Sequence, residues 1–71
     1  MQRFGEKLRT LRKQRKMTLK ELASKLGYNS YTYINAIELG QKQPSLELVA
    51  RIAEMFEVSF DQLLNDDLEV D

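Results

Sequence analysis

The 71-residue chain is long enough for one small domain, and its lack of Cys and His excludes disulfides and thiolate metal sites and removes the commonest general base. Its net charge of zero hides a division, since residues 1–25 carry a net charge of +7 and residues 26–71 a net charge of −7. The basic part can face a polyanion or can be an ordinary solvated surface, and charge alone leaves both interpretations open.

The first predicted helix covers residues 3 to about 15. Phe4, Leu8 and Leu11 recur at helical spacing and form an apolar stripe. Arg12 lies beside this stripe, so we expect its head group to be partly buried. Most other positions are cationic, and we interpret them as long-range electrostatic support rather than as direct contacts.

The second predicted helix begins after a short break at Lys16 and Met17. Thr18 is expected to be its N-cap, and Glu21, three residues later, completes a capping box. The helix ends at Gly27, where a positive φ is expected. Its apolar positions are Leu19, Leu22, Ala23 and Leu26.

The third predicted helix, between Gly27 and Gly40, organises the rest of the chain. Ser30 is its expected N-cap. Groups that can pack share one side, namely Ile34, Ile37 and Glu38. The opposite side is slim and suits a helix that must fit a groove. It carries Thr32, Asn35, Ala36 and Leu39.

The fourth predicted helix covers residues 45 to about 56, with Ser45 as N-cap after Pro44. Leu48 and Met55 lie about a quarter-turn from the centre of its packing side and are surplus to that side. The packing side is predicted to comprise Leu46, Val49, Ile52, Ala53 and Phe56.

Ser59 is the expected N-cap of a short fifth helix, which carries Phe60, Leu63 and Leu64. The following residues are mostly acidic, and we expect them to be a frayed tail. Five short helices without an alternating strand pattern predict an all-α fold, with a helix-turn-helix domain over residues 1–64 and an acidic C-terminal tail over residues 65–71.

Three segments resemble the Cro/repressor-type (XRE-like) helix-turn-helix family. They are Thr18 followed by Glu-Leu-Ala at 21–23, Ile-Asn-Ala-Ile-Glu-Leu-Gly at 34–40, and Pro-Ser at 44–45. The resemblance covers about residues 4–64 and implies a lambda-repressor-like domain whose third helix enters the DNA major groove. Leu19 departs from the family, which often has Gln there, and the turn at 28–30 is one residue longer than the commonest form.

The resemblance, together with the groups that bases and phosphates require, predicts a DNA-binding surface. The predicted base-reading residues are Tyr31, Thr32, Asn35 and Ala36. The predicted phosphate ligands are Thr18, Tyr33, Lys42 and Gln43. Alternatively, Thr32, Asn35 and Ala36 form an ordinary solvated helix face. The two tyrosines, Tyr31 and Tyr33, would pack against the second helix, and Lys42 would be a simple surface lysine.

Two further predictions concern structure. Glu38 lies on the packing side of the third helix, where an unpaired carboxylate would be costly, and the family pattern pairs it with Arg12. Leu48, Met55 and Leu64 are predicted to form an apolar dimer interface at the acidic end. Alternatively, these three residues cover the last helix within one monomer.

The resulting prediction is a sequence-specific transcriptional regulator that binds double-stranded DNA as a homodimer on a (pseudo)palindromic operator. The alternative is a protein-interaction or antitoxin-like helix-turn-helix module. We expect no enzymatic activity, cofactor, metal or small-molecule ligand, because no convergent catalytic pair is apparent and no sensing domain fits. Without a recognisable signal peptide or transmembrane run, the expected location is cytoplasmic.

Overall fold

The computed structural model describes residues 2–70, and five α-helices account for their regular structure. The helices are α1 (Phe4–Gln14), α2 (Leu19–Lys25), α3 (Thr32–Glu38), α4 (Leu46–Phe56) and α5 (Phe60–Leu64). No strand occurs between residues 2 and 70, so the predicted all-α fold is confirmed. Met1 and Asp71, which the predicted domain and tail include, lie outside the described residues.

Side-chain caps start three helices at the residues that the sequence predicts. The hydroxyl oxygens of Thr18, Ser45 and Ser59 each accept a backbone N–H three residues later, at 3.0–3.1 Å. Glu21 completes the predicted capping box by accepting from the Thr18 backbone N–H at 2.9 Å. This bond lowers the pKa of the Glu21 carboxyl.

The start of α3 differs from the prediction by one residue. The helix begins at Thr32 with Tyr31, not Ser30, at the N-cap position, and Tyr31 makes no side-chain capping bond. Ser30 still contributes, because its hydroxyl oxygen accepts from the Thr32 backbone N–H at 3.2 Å. The extra residue in the turn therefore moves the polar cap just outside the first helical turn.

The first four helices, α1 to α4, end through hydrogen bonds that reach back over the last turn. The residue that follows each of Gly27 (φ +89°) and Gly40 (φ +77°) donates its N–H to a carbonyl five residues earlier, which defines a Schellman motif. The same bond follows Lys16 and Glu57, whose φ is +55°. Because neither Lys16 nor Glu57 is a glycine, the left-handed backbone of these two turns was not predictable from the sequence.

The core lies where α1 packs on α3 and α5, with α2 against α3 and α4 against α5. Leu46 and Leu48 exchange their predicted roles, since Leu46 is 72% exposed and Leu48 is 1% exposed. Leu46 is the first residue of α4, and side chains tilt towards a helix N-terminus, so this one projects past its neighbours. The buried side chains of α4 are Leu48, Val49, Ile52, Ala53 and Phe56.

The tail is not frayed up to residue 70, because the start of α1 holds it. The Asp66 carboxylate accepts from the backbone N–H groups of Gln2 and Arg3, each at 3.0 Å. The Arg3 guanidinium donates to both carboxylate oxygens of Glu69 at 2.9 Å. We call these four residues the N–C clasp. Its hydrogen bonds lower the pKa of Asp66 and of Glu69 below their ordinary values.

A buried lysine joins α1 to α5. Lys7 is only 1% exposed, and its Nζ donates to the carbonyl oxygens of Gln62 and Asn65, each at 2.6 Å. The last carbonyls of a helix have no partner within the helix and carry a partial negative charge. The Lys7 ammonium therefore caps the C-terminus of α5, a structural role that the sequence analysis did not predict.

Candidate nucleic-acid interface

One side of α3 is anchored in the protein. Ile34 and Ile37 are buried, and the Glu38 carboxylate accepts from Arg12 Nε at 2.8 Å and from Arg12 Nη2 at 3.1 Å. The Glu38 side chain is 4% exposed and the Arg12 side chain 11% exposed. Arg12 also donates to the Met17 carbonyl at 2.9 Å. The ion pair that the sequence analysis expected is thus present in the structure.

The other side of α3, together with Tyr31 just before it, is accessible. Tyr31 is half exposed and Thr32 is exposed, while Asn35 and Ala36, one turn later, are partly exposed. Residues at this spacing share one side of a helix. Within the part of the chain that the structure describes, the Asn35 amide has no hydrogen-bond partner. The four candidate base-reading residues therefore lie on one accessible side of α3.

Ser30 is a residue of this surface that sequence reasoning used only as a cap. Its hydroxyl oxygen lies 2.9 Å from the Thr32 hydroxyl oxygen, and either group can donate in this bond. The pair orients the Thr32 hydroxyl before any ligand arrives. The signal in the sequence was the spacing of two hydroxyl residues at a helix start, where such local bonds are common.

The candidate phosphate ligands differ in how free their polar groups are. Thr18 Oγ1 accepts from the Glu21 backbone N–H, and the Thr18 side chain also helps to lower the pKa of the Glu21 carboxyl. Tyr33 packs against the Tyr28 ring at a centroid distance of 5.3 Å, and its hydroxyl donates to the Gln43 carbonyl at 3.4 Å. The Lys42 and Gln43 side chains are exposed. Tyr33 would have to release this long bond before it could donate to a phosphate.

The basic residues of the first part of the chain fall into two groups. Arg3, Lys7 and Arg12 make internal contacts with carboxylates or carbonyls. The interpretation of the first helix as electrostatic support therefore does not extend to these three. The exposed basic residues of this part are Arg9, Lys13, Arg15, Lys16, Lys20 and Lys25.

The sequence did contain a signal for the role of Lys7. This residue follows Phe4 by three positions and precedes Leu11 by four, so it lies at the edge of the apolar stripe of α1. A lysine at such a position must either reach solvent or find acceptors inside the protein.

The predicted dimer residues require a correction. Leu48 is buried in the core of the monomer, so it cannot contribute an exposed surface. Leu48 packs inward because it lies one turn before Ile52 on the buried side of α4. Met55 and Leu64 are partly buried and pack against the same core. The structure therefore supports the alternative for Leu48, in which this residue packs inside one monomer.

Residues 2–70 carry neither a membrane-spanning helix nor a cluster of metal ligands. These residues contain no helix long and apolar enough to cross a membrane. The same stretch has no group of three or more acidic, His or Cys side chains placed to hold a metal ion.

Known proteins resemble the chain over most of its length. A family model described as Helix-turn-helix matches residues 8–63. The uncharacterized HTH-type transcriptional regulator YqaE of Bacillus subtilis is 39% identical over 61 residues, which cover 86% of this chain and 52% of that protein. The cryptic phage CTXphi transcriptional repressor RstR of Vibrio cholerae is 35% identical over 63 residues, which cover 89% and 56%.

A relative named as an activator also matches. The HTH-type transcriptional activator BcrR of Enterococcus faecalis is 39% identical over 62 residues, which cover 87% of this chain and 30% of that protein. The chain spans about half the length of the first two relatives. No solved structure matches the chain significantly.

Proposed function

Since the chain belongs to the XRE-type helix-turn-helix family, we propose that it is a sequence-specific transcriptional regulator that binds double-stranded DNA through α3. The relatives that match most of the chain are named as transcriptional regulators, which points to a binding protein rather than an enzyme. The observation that carries the proposal is the contrast between the anchored side of α3, which holds Ile34, Ile37 and Glu38, and its accessible side, which holds Thr32, Asn35 and Ala36.

The dimensions of DNA fit this arrangement. A major groove about 12 Å wide admits one α-helix, and the first residues of a recognition helix reach base edges most easily. Thr32 and Asn35 carry hydrogen-bonding groups on that part of α3, and the Ala36 methyl can contact a thymine methyl. The half-exposed Tyr31 ring lies at the start of the same surface. We assign base reading to these four residues.

Phosphate contacts would flank the recognition helix. Lys42 and Gln43 follow α3 in the chain, and the Thr18 hydroxyl lies at the start of α2. The Lys42 and Gln43 side chains make no hydrogen bond within residues 2–70 and can each donate to a phosphate oxygen, whereas the Thr18 side chain already interacts with Glu21. The Tyr33 hydroxyl is the weaker candidate because it already donates to Gln43. The exposed basic residues of α1 and α2 add long-range attraction to the polyanion.

We further propose a homodimer that places two α3 helices about 34 Å apart on adjacent major grooves of a (pseudo)palindromic operator. Of the three residues assigned to the interface, Met55 and Leu64 retain partly exposed side chains, whereas Leu48 does not. Sedimentation of the parent and of a Met55→Gln/Leu64→Gln variant tests this part. A folded variant that stays as dimeric as the parent would place the interface elsewhere.

DNA binding is tested by selecting duplexes from a random-sequence library with the purified chain. Binding of the enriched duplex and of a shuffled duplex is then measured at several salt concentrations. We expect enrichment of one motif and an affinity that falls linearly with salt on logarithmic axes, because bound cations release counterions from the phosphates. The absence of both enrichment and salt dependence would favour a protein-interaction module and would contradict the proposal.

A further inference from the structure

Gly5 lies where α1 touches the last turn of α3. It is buried in α1, and a Cβ atom built on it would lie 2.7 Å from the Glu38 carbonyl oxygen and still closer to that of Ile37. Cβ atoms essentially never approach other heavy atoms within 3.0 Å. Both obstructing atoms belong to the backbone, so no side-chain rotation relieves the contact. Only a glycine permits this approach of α3 to α1.

Arg12 provides a second contact on the same side of α1. It follows Gly5 by seven residues, which is close to two helical turns. Its guanidinium holds the Glu38 carboxylate through two hydrogen bonds. Gly5 thus contacts the backbone of the last turn of α3, while Arg12 contacts the Glu38 side chain of the same turn. We call Gly5 and Arg12 together the α3 seat.

We propose that Gly5 is a positioning residue that sets the placement of the recognition helix and thereby its sequence specificity. The inference rests on the proposed function, because it concerns how α3 reads DNA. Thr32 precedes Ile37 by five residues, or about 7.5 Å along the helix. A displacement at the seat is carried to Thr32 and Asn35, since α3 moves as one short rigid element.

Specific and non-specific binding respond differently to such a displacement. Hydrogen bonds to base edges depend steeply on distance and angle, so a shift of α3 breaks them. Flexible basic side chains can follow a phosphate, and these contacts carry no sequence information. Gly5→Ala should therefore lower the affinity for the correct sequence and spare the affinity for an unrelated one.

The helical preference of alanine helps to separate the two possible effects of Gly5→Ala. Alanine stabilises a helix relative to glycine, so Gly5→Ala would stabilise α1 if no other atoms lay beside position 5. Gln14→Ala is the matched control, because Gln14 is exposed, uncharged and in the same helix. It introduces the same residue without a contact to α3.

The experiment compares the parent, Gly5→Ala and Gln14→Ala on two probes, a duplex selected by the parent from a random library and a shuffled duplex. Circular dichroism checks that each variant is folded. We expect Gly5→Ala to bind the selected duplex about tenfold or more weakly, the loss that one broken base contact produces. The affinity of Gly5→Ala for the shuffled duplex should stay within about twofold of the parent's affinity, because that binding depends on phosphate contacts alone. Gln14→Ala should match the parent on both probes.

The inference would be overturned by a folded Gly5→Ala protein that keeps the parent's ratio of affinity for the selected duplex to affinity for the shuffled duplex. If Gly5→Ala does not fold, Arg12→Lys decides, because it weakens the seat without adding a backbone clash. Loss of the affinity ratio in a folded Arg12→Lys protein supports the inference, and an unchanged ratio contradicts it. The parent itself separates this inference from the proposed function, since a parent that enriches no sequence overturns that function directly.

Discussion

Asn35 differs from the other polar side chains of α3 in lacking a partner within residues 2–70. Thr32 bonds to Ser30, the Tyr33 hydroxyl donates to Gln43, and Glu38 pairs with Arg12. A free amide carries both donor and acceptor groups, a combination that matches the edge of adenine in the major groove. Asn35 is therefore the residue at which base reading is most directly tested.

We expect Asn35→Ala to weaken binding to the selected duplex by about 1–3 kcal/mol, because a good base contact is lost. The fold should be unaffected, since the amide makes no internal bond. Binding is measured by titration on selected and shuffled duplexes. Equal losses on both duplexes would show that Asn35 does not read bases.

Lys42→Ala is the contrasting variant. Lys42 is exposed and assigned to phosphate, so its removal should weaken binding to both duplexes alike. The slope of log affinity against log salt should become shallower by about one unit, because one fewer counterion is released. A loss confined to the selected duplex would instead assign Lys42 to sequence reading.

The Arg12–Glu38 pair is expected to stabilise the fold as well as to position α3. Both side chains are largely buried, so removing one partner leaves a charge without compensation. We expect Glu38→Ala to lower the free energy of unfolding by about 3–5 kcal/mol, measured by urea denaturation. Glu47→Ala is the control, because Glu47 pairs with Arg51 at the surface and should contribute less than about 1 kcal/mol. Equal effects of the two substitutions would contradict the distinction.

At the scale of the helices, three capped starts and most of the buried positions were predictable, and the exceptions were the start of α3 and two leucines of α4. Thr18, Ser45 and Ser59 act through local hydrogen bonds, so their roles follow from a few neighbouring residues. Leu46 is the first residue of α4 and projects past its neighbours, whereas Leu48 lies one turn before Ile52 on the buried side of the helix. The inward position of Leu48 is also why its assignment to a dimer interface was incorrect.

Contacts between distant segments account for the other differences. Gly5 and Lys7 act on atoms more than thirty residues away, and no local pattern specifies those partners. The Arg12–Glu38 pair was predictable because the burial of Glu38 and the resemblance to a family both pointed to it. The shared side of Thr32, Asn35 and Ala36 was predictable from their helical spacing, whereas their role in base reading stays a prediction.

The role of Lys7 between α1 and α5 gives a prediction at this scale. Lys7→Met keeps most of the apolar stem and removes the ammonium that the Gln62 and Asn65 carbonyls accept from. We expect the free energy of unfolding to fall by about 1.5–3 kcal/mol, the range for hydrogen bonds to charged groups. Lys13→Met, at an exposed position of the same helix, should change it by less than about 0.5 kcal/mol. Thermal melts of both variants provide the comparison.

At the scale of the whole molecule, the N–C clasp links stability to pH. Hydrogen bonds from the Arg3 and Gln2 backbone lower the pKa of Asp66, and the Arg3 guanidinium lowers that of Glu69. A carboxyl with a depressed pKa in the folded state stabilises the fold above its ordinary value of about 4. This stabilisation is lost as the pH falls from there through the depressed pKa.

We therefore expect the melting temperature to decline below about pH 4–5, and to decline less steeply in Asp66→Asn. Asp67→Asn is the control, because its carboxylate makes no contact with Arg3. Melting curves recorded between pH 2 and 6 make the comparison. Identical pH profiles for the parent and Asp66→Asn would show that the clasp does not contribute.

The N–C clasp also has a kinetic consequence. Gln2 and Arg3 meet Asp66 across 64 and 63 residues of chain, so closing this contact in an unfolded chain carries a large entropy cost. The cost is small once the core has brought the two ends together, and the clasp should therefore form after the rate-limiting step of folding. Asp66→Asn should accelerate unfolding and leave the refolding rate nearly unchanged in stopped-flow experiments. A slower refolding rate would instead place the meeting of the two ends early in folding.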